Sequence, residues 1–219
     1  MRAIDGHHSS SFTVHLTLCN KKPTKKMKNR YPSITAVALI LLPLFSAAQK
    51  VVAFQQSTVN STFISGTSTL HDWTMTSTEA SYEAKFEMSG EGKPIQLQSL
   101  SYSLPAESLK SGKNAMDKNA YSALNTSKHK KITFVLTHSK IEGSTIRCNG
   151  NLTIAGVTKP VTLEASYKVG PNGDLTCNAK FALKMTDFNV EPPTFMLGTI
   201  KTGDELTLTF SINLTPAKS

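Results

Sequence analysis

A chain of 219 residues can bury a sizeable core, and its formal charge of +9 first raises the question of a nucleic-acid partner. The charge is unevenly placed: seven basic residues and one acid precede position 49, and the remainder carries 17 basic and 14 acidic residues, a net of +3. So weak a field, with no Lys/Arg stripe and no interleaved aromatics, excludes a nucleic-acid-binding surface.

Residues 27–48 have the three parts of a secretory signal. Lys28 and Arg30 come first, a 12-residue apolar run follows over 34–45, and Ser46-Ala47-Ala48 ends it, with cleavage expected after Ala48. As a helix that run would reach only about 18 Å, against roughly 30 Å of hydrocarbon, so it does not read as a membrane anchor. No cysteine follows it to carry a lipid. The expectation is export to the periplasm or beyond the cell, with no transmembrane segment in residues 49–219. Residues 1–26, with His7, His8, a Ser run and Lys-rich turns, show no periodicity and read as a dispensable extension or a mis-assigned start.

From Lys50 the pattern is strand after strand. Residues 57–65, rich in Thr, Val and Phe, end at Gly66, and Leu70–Met75 follows as Leu-His-Asp-Trp-Thr-Met. Ala80, Tyr82, Ala84, Phe86 and Met88 then alternate with polar partners, as the period-two geometry of a half-buried strand requires. Gly90-Glu91-Gly92 is a turn. Beyond it, Ile95 and Leu97 occupy odd positions but Leu100, Tyr102 and Leu104 even ones, a phase change that places a bulge at Gln98–Ser99.

Alternation stops over 105–125. Asn114, three residues before Asp117, caps a short helix carrying Met116, Ala120 and Leu124 on one face. Ile132, Phe134 and Leu136 resume the strand pattern. The clearest unit is residues 149–169, a hairpin that turns at Gly156 and has Pro160 opening its second arm, where a missing N–H costs least. Pro171-Asn172-Gly173-Asp174 is a second turn, and 175–185 alternates through Phe181 and Leu183. Residues 187–198 read as an irregular loop, and Leu206, Leu208, Phe210, Ile212 and Leu214 as the most regular strand. About eight antiparallel strands and one short helix, with no βαβ rhythm, give an all-β barrel or sandwich.

Catalytic chemistry is thin. His71, His129 and His138 show no metal-ligand spacing, and no P-loop, nucleophile elbow, CxxC or dinucleotide fingerprint is present. His71 and Asp72, as strand neighbours, face opposite sides and cannot share a pocket without a bulge; His129, among three lysines, reads as solvated. Beyond Cys19 the cysteines are Cys148 and Cys177, both on apolar faces. In a meander they sit on next-but-one strands, roughly 10 Å apart, beyond the about 7 Å a bridge allows. Two buried free thiols are expected. No enzyme activity, metal or cofactor is expected.

The chain has instead an excess of large, soft side chains on one face. Trp73, Met75, Tyr82, Phe86 and Tyr102 project from the first half. Phe134, Leu152, Ile154, Leu163, Tyr167, Phe181, Met185 and Phe210 do so from the second, and Phe63 and Phe188 complete the set of candidate pocket residues. An eight-stranded barrel is of a size whose interior either fills with side chains or holds one small ligand. Aromatic and Met side chains suit an apolar pocket, but periodicity alone does not separate the two outcomes.

Several motifs are shared with a known family. Gly150-Asn151-Leu152-Thr153-Ile154-Ala155-Gly156-Val157-Thr158-Lys159-Pro160-Val161 resembles the YceI-like family of exported lipid-binding proteins. So do Leu104-Pro105-Ala106-Glu107-Ser108-Leu109-Lys110-Ser111-Gly112 with Met116-Asp117, then Lys131-Ile132-Thr133-Phe134, and the late Met185-Thr186-Asp187-Phe188. The resemblance covers about residues 52–214 and makes 49–219 one domain. It implies a single extended, lipocalin-like antiparallel barrel whose long internal pocket takes a polyisoprenoid, quinone-like or fatty-acid-like amphiphile for carriage, storage or sequestration. It also implies binding without catalysis or metal, and leaves a homodimer open. The stretch Gly66-Thr67-Ser68-Thr69-Leu70-His71-Asp72-Trp73 departs from the family's Phe-x-x-x-His opening, which bears on the ligand and not on the fold. The competing expectation is an interaction barrel with a filled core and no ligand.

Overall fold

The computed structural model describes residues 49–57 and 60–217; the signal segment 27–48 and the extension 1–26 lie outside them. Eleven strands and one helix follow in order: β1 (Lys50–Gln56), β2 (Ser61–Ser68), β3 (Trp73–Ser77), β4 (Ser81–Met88), β5 (Pro94–Pro105), α1 (Asn114–Ala123), β6 (Lys131–Glu142), β7 (Thr145–Ile154), β8 (Val157–Val169), β9 (Leu175–Lys184), β10 (Thr194–Phe195) and β11 (Ile200–Pro216). All ladders between them are antiparallel.

Two of the barrel's staves are interrupted strands. β1 and β2 run end to end along one edge of β11, and on their other side β4 and β3 do the same. The ring is therefore β1/β2, β4/β3, β5, β6, β7, β8, β9 and β11, closed by the β1–β11 and β2–β11 ladders. Closure, not a sandwich, is the arrangement, and it removes the exposed edges an open sheet would leave. At the break between β1 and β2, Asn60 takes over the missing ladder. Its Nδ2 donates to Ser57 O at 2.7 Å and its Oδ1 accepts from Asn213 N at 2.7 Å.

Local chemistry explains the other irregularities. The register of β4 with β5 slips between Lys85↔Ser99 and Phe86↔Leu97, so Gln98 is the extra residue, where the phase change placed it. The β7–β8 turn has only two residues, Ala155 at φ 48° and Gly156 at φ 81°, the left-handed pair that lets a two-residue loop follow strand twist. Gly150 is bare because Phe134 lies across it, where a Cβ would overlap the ring.

Some expectations shift. β2 begins at Ser61 and continues through Gly66 to Ser68, because Gly66 takes the Trp73 ring across the hairpin instead of ending the strand. β8 begins at Val157, so Pro160 lies inside it, opposite Asn151. In that ladder Pro160 is in a non-hydrogen-bonded position, and its nitrogen faces β9. There β8 is unpaired: its ladder with β9 runs only from Ala165↔Ala179 to Val169↔Leu175. A proline thus costs nothing at this seam and blocks its closure. Lys113, not Asn114, caps α1, with no side-chain bond at the cap. His129 is half-buried against Gly156 instead of solvated among the lysines.

Candidate functional site

Tight packing fills one part of the lumen. Tyr82, Phe86, Tyr102, Phe134 and Leu152 are buried there, joined by ring contacts of Phe54 with Phe86 at 5.3 Å and of Tyr102 with Tyr82 and Phe210 at 5.3 and 5.5 Å. Thr62, fully buried, lies 3.2 Å from the Tyr102 hydroxyl. Burial lifts the Tyr102 hydroxyl well above the ordinary phenol value, and it raises Tyr82 too, against a smaller opposing pull from the Thr62 hydroxyl. These groups stay neutral and form a floor across the barrel.

Above that floor, at the end where β2, β5, β7 and β9 finish, the packing stops. A cavity of about 330 Å³ remains. Its walls are inward-facing strand residues: Ile64 of β2, Trp73 and Met75 of β3, Ile132 of β6, Ile154 of β7, Leu183 of β9, and Leu206 and Leu208 of β11. α1 forms the lid, with Met116, Ala120, Ala123 and Leu124 facing in. Met185, Phe188 and Val190 close the side. Polar groups are few and include Ser68, His71, Lys113, Asn119 and Thr202; no Asp or Glu lines the cavity among the described residues.

The lid is anchored from outside the cavity. Asp117, on the first turn of α1, is buried and accepts from the Ser111 amide at 2.8 Å and the Ser111 hydroxyl at 2.6 Å. Burial pushes its carboxyl up, but the two Ser111 bonds and the Lys110 charge outweigh that and leave it below its ordinary value. The Tyr121 hydroxyl accepts from Lys110 Nζ at 2.7 Å and lies 2.7 Å from the Leu109 carbonyl oxygen. Thr126 Oγ1 donates to Glu107 at 2.7 Å. A ten-residue helix has little stability alone; these bonds fix it over the barrel mouth.

Of the residues chosen from the sequence, Trp73, Met75, Ile154, Met185 and Phe188 line the cavity. Tyr82, Phe86, Tyr102, Phe134 and Leu152 belong to the packed floor and core. Leu163, Tyr167, Phe181 and Phe210 face inward from β8, β9 and β11 but are only half-buried; Leu163 and Phe181 border the seam where β8 and β9 do not pair, whereas Tyr167 lies within their ladder opposite Cys177. Phe63 stands on the outer face, 39% exposed, because Thr62 and Ile64 take the inward positions of β2. The candidate pocket set missed Ile64, Leu109, Ile132, Leu183, Val190, Leu206 and Leu208. Alternation alone turns Ile132, Leu183, Leu206 and Leu208 to one face, but the Ser/Thr-rich β2 leaves Ile64 ambiguous and nothing local marks Leu109 or Val190.

His71 reaches the cavity mouth and Asp72 does not, but the two precede β3 and are not strand neighbours as the sequence suggested. The His71 Nδ1 lies 2.8 Å from the Asp72 carbonyl oxygen, and Ser68 Oγ accepts from the His71 amide, so the pair belongs to a turn. Cys148 and Cys177 are free and buried on β7 and β9, with β8 between them. Burial pushes their thiols up to about 11 and about 12. No helix among the described residues is long and apolar enough to cross a membrane.

Comparison with known proteins gives a concordant result. The YceI-like domain family matches residues 45–214. A UPF0312 protein of Pectobacterium atrosepticum is 42% identical over 82 residues, which is 34% of this chain and 42% of that protein. Protein YceI of Salmonella newport is 43% identical over 83 residues, with the same coverage. These matches span under half the length of the curated relatives. Among solved structures, Burkholderia cenocepacia BcnA superposes with a TM-score of 0.61 at 18% identity, covering 71% of this chain and 96% of that one. A polyisoprenoid binding domain from Saccharophagus degradans, implicated in plant cell wall breakdown, gives 0.55 at 12%, covering 77% and 100%. Both share the fold.

Proposed function

The chain belongs to the YceI-like family, and from that premise we propose that it binds an amphiphile with an isoprenoid-type tail in the cavity beneath α1. Binding serves carriage, storage or sequestration in the cell envelope, after export directed by residues 27–48. The observation that carries this reading is the unfilled apolar volume of about 330 Å³ beside a lumen otherwise packed with aromatic rings. Larger side chains in that space would stabilise the fold, so a hollow kept open there has a use other than stability. The polyisoprenoid-binding description of the Saccharophagus degradans neighbour, which shares the fold, points to the same ligand class.

The physics of such binding is burial. Each Å² of hydrocarbon removed from water contributes about 25 cal/mol before the costs of ordering. The volume sits at the small end of ligand pockets, roughly 300–1,000 Å³. It therefore takes a short tail whole, or the end of a long one whose remainder follows the half-buried inner faces of β8 and β9. At the mouth Lys113, His71 and Asn119 offer donors to a headgroup oxygen, with no lining carboxylate to repel an anionic one. We read the chemistry as that of a binding protein, the reading that membership of the YceI-like family supports. A lipid-free sample titrated with a short-chain polyprenyl phosphate tests the reading. Saturable binding at one equivalent is expected; no binding of this or of an unbranched fatty acid would contradict it.

A further inference from the structure

The rim of the cavity carries large apolar side chains in water. Leu70 is 65% exposed, Phe195 47%, Met196 63%, and Leu197 wholly so. They form one patch, because the two segments that bear them are stitched together. Thr69 N donates to Lys201 O at 2.9 Å, Lys201 N donates to Thr69 Oγ1 at 3.1 Å, and Lys201 and Ile200 pair with Thr194 and Phe195. Leu70 and Phe195 also line the cavity, so the patch is continuous with its apolar interior.

The backbone holds this lip outward at a cost. Met196 and Leu197 have φ of 51° and 56°, followed by Gly198 at 84°. Left-handed positions favour Gly, Asn or Asp, and bulky residues there are strained. A turn selected for its own stability would not place Met and Leu at its tip. We propose that this lip inserts into the surface of a phospholipid bilayer and holds the cavity mouth against the membrane, so that an amphiphile passes between them without crossing water.

The shape favours a bilayer over a protein. A convex apolar tip needs a matching pocket on a protein partner, whereas a fluid interface accommodates it without one. Lys113 lines the mouth and Lys201 lies in the lip's own ladder, and both suit phosphate headgroups; Asp72, Asp187 and Glu205 line an adjoining cleft, not the mouth. The inference rests on the amphiphile-binding reading only for its purpose; the lip's geometry is independent of the ligand.

Flotation of the mature protein with phosphatidylethanolamine/phosphatidylglycerol vesicles is the test, on the wild type, Met196→Ser/Leu197→Ser, and Val135→Ser. Val135 is an exposed apolar residue of the outer wall. The wild type is expected to float, the double variant to lose at least about tenfold in partitioning, and Val135→Ser to match the wild type. A wild type that stays at the bottom, a double variant that floats equally, or an equal loss in Val135→Ser overturns the proposal. Uptake of a dissolved fluorescent fatty acid separates the two claims. Protein that floats but takes up no amphiphile leaves the lip standing and removes the cavity reading; protein that takes it up but never floats does the reverse.

Discussion

Replacing Ala120 with Phe puts a ring into the cavity from the lid. Ala120 lies on the inner face of α1 and lines the 330 Å³ hollow. The added phenyl group covers roughly 150 Å² of apolar surface that a ligand would otherwise bury. At about 25 cal/mol per Å² the ceiling on the loss is about 4 kcal/mol. Re-routing of the tail recovers part of this, so a loss of about 2 kcal/mol, roughly thirtyfold in Kd, is expected. The fold should not suffer, because the ring enters a void instead of a packed core, and the ligand-free midpoint of unfolding should hold or rise. The assay is built into the chain: Trp73 is its single tryptophan and lines the cavity, so its emission reports occupancy directly. Titration with a conjugated polyene fatty acid, which accepts tryptophan emission, gives both Kd values. Equal affinities in a folded Ala120→Phe variant would refute the assignment of the cavity as the binding site.

Three other substitutions or probes address the frame that holds the site. Ala155→Asn relieves a left-handed alanine in the β7–β8 turn, and should stabilise by about 0.5–1 kcal/mol, a rise in Tm of about 2 °C for a domain of this size; a lower Tm would contradict the turn assignment. Cys148 and Cys177, with thiols raised by burial to about 11 and about 12, should resist a disulfide reagent at neutral pH until the protein unfolds. Rapid native labelling of either would show that the barrel wall opens. Asp117→Asn removes a carboxylate held by Ser111 and should destabilise by about 1 kcal/mol at neutral pH. Because the folded carboxyl lies below its ordinary 3.8, its contribution is full above that value and is lost as pH falls through the lowered one. The gap between variant and wild type in denaturant melts should therefore close in acid, and a gap that stays constant there would contradict the account.

The sequence was most legible where one rule acted on one strand. The β7–β8 hairpin, the Gln98 bulge, the inward face of α1 and the separation of the two cysteines all follow from local periodicity or strand count. Barrel closure depended on the β1–β11 contact, which no local pattern announces. The cavity was least legible. Alternation tells which face a side chain takes, not whether it meets another across the lumen. Phe134 and Trp73 both point inward, yet Phe134 packs over Gly150 into the core while Trp73, against Gly66, borders empty space. Phe63 failed for a simpler reason: in a strand dominated by Ser and Thr, either parity could hold the core, and Ile64 and buried Thr62 took it. The lip over 195–197 lay in a loop whose apolar residues had no period to assign them inside or out.

Native mass spectrometry of the protein, expressed in a bacterium and purified without detergent exchange, tests the central claim most directly. A one-to-one adduct whose mass is that of an isoprenoid amphiphile, weakened or absent in Ala120→Phe, is the predicted result. A bare mass in repeated preparations, with no uptake when polyprenyl lipids are added back, would contradict it.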